Sequence, residues 1–150
     1  MEQIRLMFGA PSRYAAPGAR YRDIDVAARV EGASPHGLVV IMFEELLKSL
    51  GTLEAAEMVR DLARRNAAEA RVLSLLHGLE AALDHRRGGE IADNLGLIYR
   101  EARRLIGNAP GIDRANALAQ ARDMIATISG AWEAIGPTVN SPVTTDIRGS

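Results

Sequence analysis

The chain contains no cysteine. Disulfides, thiolate metal sites and cysteine nucleophiles are therefore excluded, and nothing in the sequence requires an oxidising compartment. Aromatic residues make up only 4%, with a single tryptophan, so a core must be built from Leu, Ile, Val, Met and Ala. The net charge of −1 lacks the basic excess of a nucleic-acid binder, and no nucleic-acid partner is expected. Long apolar runs are missing too. The most apolar stretch, Leu38 to Phe43, falls far short of the ~20 residues of a membrane span, so no membrane insertion is expected. The N-terminal stretch scatters Glu2, Arg5, Arg13, Arg20 and Arg22 without an apolar block resembling a signal-peptide core. These absences describe a soluble intracellular protein.

What is present is helical. The sequence is organised around Ala33 to Leu50. There Ser34 is placed to cap a helix through its hydroxyl, and Pro35 suits the first helical position. Leu38, Val39, Val40, Ile41, Met42 and Phe43 then cover more than one turn on all sides. A surface helix needs only one apolar stripe, so this one must bury a second face against its own chain or a partner. It is expected to run to about Met58. Asp61 caps a second helix to about Asp84, and His85 to Gly89 form a break able to adopt a left-handed conformation. A third helix over about Glu90 to Ile106 carries Ile91, Leu95, Ile98, Tyr99, Ala102, Leu105 and Ile106 at helical spacing. Asp113 caps a fourth, where Leu118, Ala121, Ile125, Ile128, Trp132 and Ile135 repeat at three- and four-residue steps.

No strand pattern competes, and short turns between long helices favour an all-α, antiparallel four-helix bundle. The domain spans 21–135. Residues 1–20, with Gly9, Pro11, Pro17 and Gly18, form a flexible N-terminal arm, and 136–150, rich in Pro, Ser and Thr, form a disordered C-terminal tail. The lead-in from Tyr21 to Glu31 suits either a short helix or an extended segment.

Catalytic chemistry finds little support. No Glu precedes a His by three residues, so the carboxylate-bridged metal sites of helical bundles are not encoded, and no metal or cofactor is expected. His36, His77 and His85 lie on separate elements, and Ser34 has no neighbouring base. Arg60, Arg64, Arg65 and Arg71 interleave with Glu57, Asp61 and Glu69, the mixture of a solvated face, with an anionic partner as the alternative. Trp132 fits either the core or a partner anchor. Asn94, beside an apolar face, is either satisfied within the fold or contacts a partner backbone. The residues thus favour a binding module over an enzyme.

Three patches together resemble the FliS family of flagellin-specific export chaperones. They are Ala33-Ser34-Pro35-His36 followed by Leu38 to Phe43, then Gly88-Gly89-Glu90-Ile91-Ala92 with Asn94-Leu95 and Leu97-Ile98-Tyr99, and finally Ala131-Trp132. Their order and separation cover roughly residues 21–135. Where the family usually has Tyr, this chain has Asp25, Phe43 and Glu101. The resemblance implies a cytoplasmic bundle without catalysis or cofactor. Its partners would be the flagellin C-terminal segment, held as a monomer by helix-in-groove contacts, and the flagellar export apparatus. Client contacts are expected at Ile91, Asn94, Leu95, Ile98 and Tyr99, with apolar residues of the second and fourth helices. The N-terminal segment, with Tyr21, Ile24 and Val30, is expected to lie over the client groove in the free protein. The alternative is a helical adaptor that forms a homodimer through its first long helix and regulates another protein.

Overall fold

The computed structural model describes residues 26–108 and 111–136. Tyr21, Ile24, the arm over 1–20 and the tail from 137 lie outside the described residues. A short helix, α1 (residues 26–32), opens the described chain. The lead-in is therefore helical in this part, with Val26 and Val30 turned into the core and Arg29 paired to Glu44 at 2.6 Å.

The first long helix, α2 (Pro35–Val59), begins as its sequence dictates. Ser34 is extended, and its Oγ accepts from the Gly37 N–H at 3.0 Å. Arg60 ends the helix in the left-handed region, at φ 58°. The all-round apolar character of α2 is used within the chain. Leu38, Ile41, Met42, Phe43, Leu46, Leu50 and Leu53 are all buried, with α3 and α5 packed against the helix.

The second long helix, α3 (Leu62–Ala81), is capped by the Asp61 carboxylate, which accepts from the Arg64 N–H at 3.1 Å. It stops three residues short of the expected Asp84. Asp84 instead starts the next helix, taking the Arg86 and Arg87 N–H groups at 3.1 and 3.0 Å. The expected break over His85 to Gly89 is accordingly narrower. Helix α4 (His85–Asn108) is wound from His85 and interrupted only at Gly89, where φ is 51° and ψ −123°. The glycine pair divides the work: Gly89 takes a positive φ, and a Cβ on Gly88 would sit 2.9 Å from the Ala92 methyl.

A short 3₁₀ turn, Gly111–Asp113, leads into α5 (Arg114–Ile135). Asp113 occupies the N-cap position, but its side chain makes no cap hydrogen bond, contrary to the sequence expectation. The charge work at this end is done by Arg114. Its side chain, only 10% exposed, donates to Glu57 at 2.5 Å, to Glu69 and to the Ile106 carbonyl. One side chain thereby ties α5 to α2, α3 and α4.

Helix α2 packs on α3, α3 on α4, α4 on α5 and α5 on α2, so the four long helices close an antiparallel bundle. Phe43 of α2 and Tyr99 of α4 meet across its centre, ring centroids 6.4 Å apart.

Candidate interaction surface

The apolar stripe of α4 does not have one fate along its length. In the C-terminal half Tyr99, Ala102, Leu105 and Ile106 are buried in the core. In the N-terminal half Leu95 and Ile98 are half-buried, while Ile91 is 65% and Leu97 58% exposed. Helix α5 shows the converse. Leu118, Ala121 and Ile125 are buried, Met124, Ile128 and Trp132 are partly buried against the core, and Ile135 is 43% exposed. Because α4 and α5 run antiparallel, these two stretches of uncovered apolar surface lie side by side.

Along α5, from Asn116 to Ile128, runs an open groove of about 600 Å³ that meets α4 at Ile98. Ile98 lines it from α4, and Ala119, Met124 and Ile128 line it from α5, with Asn116, Gln120, Asp123 and Thr127 as polar neighbours. At the same end α5 is held by a reciprocal clasp to the start of α2. The Trp132 Nε1–H donates to the His36 carbonyl at 3.1 Å, and His36 Nε2 lies 2.9 Å from the Trp132 carbonyl. A carbonyl only accepts, so Nε2 carries the proton. The two rings stack with centroids 4.9 Å apart. Trp132 thus serves the packing of the bundle, and His36 bonds a backbone group far along the chain. His85 is mostly exposed and lies 2.9 Å from Asp93.

The residues singled out from sequence are distributed across these surroundings. Ile98 is in the groove, Leu95 packs against the core from beside it, and Ile91 stands exposed on the same helix. Asn94 is exposed and carries no hydrogen bond that would make it a structural amide among the described residues. Tyr99, 1% exposed, belongs to the core, and burial pushes its phenol well above the ordinary range. Val30 packs in the core beside Val26 and does not line the groove. The apolar residues of α5, Ile128 among them, were expected at the contact surface, but the polar residues beside them were not. The signal for the latter was the polar series Asn116, Gln120, Asp123 and Thr127, running one residue per turn beside the apolar stripe.

Among the described residues no three His, Asp or Glu side chains come together in a way that could hold a metal ion. No helix among them is long and apolar enough to cross a membrane. The fold is an all-α four-helix bundle, and among the described residues its uncovered apolar side chains fall in two places: Ile91, Leu97 and Ile135 on α4 and α5, and Met58, Val59, Leu62 and Ile112 at the opposite end. Residues 17–139 match the family described as Flagellar protein FliS, and the chain belongs to that family. It is 29% identical over 126 residues to the flagellar secretion chaperone FliS of Salmonella typhimurium, covering 83% of this chain and 93% of that protein. It is 23% identical over 116 residues to the flagellar secretion chaperone FliSB of Pseudomonas aeruginosa, covering 77% and 92% respectively. The corresponding figures for the flagellar secretion chaperone FliS of Vibrio cholerae are 25% over 117 residues, 78% and 86%.

Proposed function

We propose that this chain is a cytoplasmic export chaperone that binds the C-terminal segment of flagellin, keeps it from polymerising early and hands it to the flagellar export apparatus. The observation that carries this reading is the uncovered apolar surface on the N-terminal half of α4 and along α5, with an open groove where Ile98 of α4 meets Met124 and Ile128 of α5. Such a surface suits an amphipathic helix laid along it. Filament-forming segments present apolar stripes of this kind, and covering them removes the surface through which subunits join. The names of the relatives, all secretion chaperones, agree with it.

The adaptor alternative relies on α2 as a dimerising face, and most large apolar side chains of α2 are already covered within the chain. The deciding experiment is titration calorimetry of the full chain with the C-terminal segment of flagellin from the same organism. The expected result is 1:1 binding with a negative heat-capacity change, the mark of apolar burial. Absence of binding by folded protein would overturn the reading.

A further inference from the structure

The groove between α4 and α5 has a chemical asymmetry. Its apolar residues, Ile98, Met124 and Ile128 among them, lie beside a polar row of Asn116, Gln120, Asp123 and Thr127 on α5. That row climbs α5 over roughly 16 Å at 1.5 Å per residue. Asp123 is the one charged residue lining the groove, and its carboxylate has no cation partner among the described residues. The adjacent Arg122 turns away to Glu54 at 3.0 Å. The Thr127 hydroxyl bonds the Asp123 backbone carbonyl rather than its side chain. Acids on packed faces are matched, as Glu45 meets Arg71, Glu57 and Glu69 meet Arg114, and Glu80 meets Arg103. Asp123 is exposed, as are the similarly unmatched Glu90, Asp113 and Glu133, but it alone of these lines the groove.

In the open groove water solvates the Asp123 carboxylate. An occupant that covers the apolar floor strips that water, which is costly unless the occupant supplies a donor or a positive charge. The occupant is also constrained in shape. An extended strand laid against side chains would leave its backbone groups unpaired, whereas a helix satisfies its own. Apolar residues at i, i+3, i+4 and i+7 of such a helix match the spacing of Met124 and Ile128.

We propose that Asp123 is a specificity-determining residue of this groove, selecting an amphipathic helix that carries Lys or Arg at the edge of its apolar stripe. Helices with an acidic residue at that edge are rejected by repulsion and by the desolvation of two like charges. The inference rests on the chaperone reading and names the chemistry by which the client is chosen.

The test uses the full chain and the C-terminal flagellin segment, titrated at low and high salt. Asp123→Asn is expected to weaken binding roughly two- to fivefold at low salt and to flatten the salt dependence. Asp123→Lys is expected to weaken it at least about tenfold. Scanning each Lys and Arg of the segment to Glu should find one position that restores affinity for the Asp123→Lys protein. Both substitutions are on the surface, and circular dichroism confirms the fold before titration. If the wild-type chain binds while both variants bind with its affinity and salt slope, the inference is overturned and the chaperone reading stands. If the wild-type chain does not bind, the chaperone reading falls and this inference falls with it.

Discussion

Arg114 is a buried cation whose three contacts bring all four long helices together at one end of the bundle. Removing it leaves Glu57 and Glu69 with less charge compensation and frees the Ile106 carbonyl. Arg114→Ala is expected to cost roughly 3 kcal/mol, as for one partner of a buried pair, measured by urea denaturation. Arg114 also sets a pH dependence. Burial alone would raise the Glu57 carboxyl, but hydrogen bonds and charge from Arg114 and Arg65 outweigh it and hold the group below its ordinary value of 4.5. A carboxylate lowered in the folded state contributes stability above its unfolded value, and that contribution is lost as pH falls through the folded one. Thermal unfolding should therefore show a wild-type loss below about pH 4.5 that Glu57→Gln lacks. An identical acid limb in both proteins would contradict the ion network. At the other end, Trp132→Phe keeps a ring on His36 but loses a hydrogen bond of 3.1 Å to the His36 carbonyl. A loss of about 1 kcal/mol is expected on denaturation.

The helices themselves were largely legible, because their start signals are local. Ser34-Pro35 and Asp61 act as caps where the sequence placed them. The errors came where a residue's role depends on distant neighbours. Asp113 sits at a cap position but makes no cap bond, because the preceding residues wind as a 3₁₀ turn. Two glycines in a row read as a long break, yet only Gly89 leaves the helix. Gly89→Ala should destabilise by roughly 1–2 kcal/mol for its left-handed φ, and Gly88→Ala should destabilise through contact with Ala92. The stripe on α4 was visible from periodicity, but periodicity cannot tell where covering stops. That depends on the facing residues of α5. The contrast is testable within one helix: Tyr99→Ala should cost roughly 3–5 kcal/mol, whereas Ile91→Ser should stay within about 0.5 kcal/mol in stability. Ile91→Ser should nonetheless reduce affinity for the flagellin segment, measured by calorimetry.

For the molecule as a whole, the two ends of the bundle are held differently. One is locked by the Arg114 network beside the exposed Met58, Val59, Leu62 and Ile112, and the other by the His36–Trp132 clasp beside uncovered surface of α4 and α5. The bundle architecture follows from four amphipathic segments with short turns, and the sequence stated it. The groove does not follow, because it is a mismatch between two stripes that becomes visible only once they are set antiparallel. We propose that this mismatch is the client-binding surface. The most direct test is a hydrogen-exchange footprint of the full chain with and without the C-terminal flagellin segment. Added protection over residues 91–98 and 116–128 is the result expected, with the α2–α3 turn unchanged. Protection confined to the opposite end, where Met58, Val59, Leu62 and Ile112 are exposed, would contradict the claim.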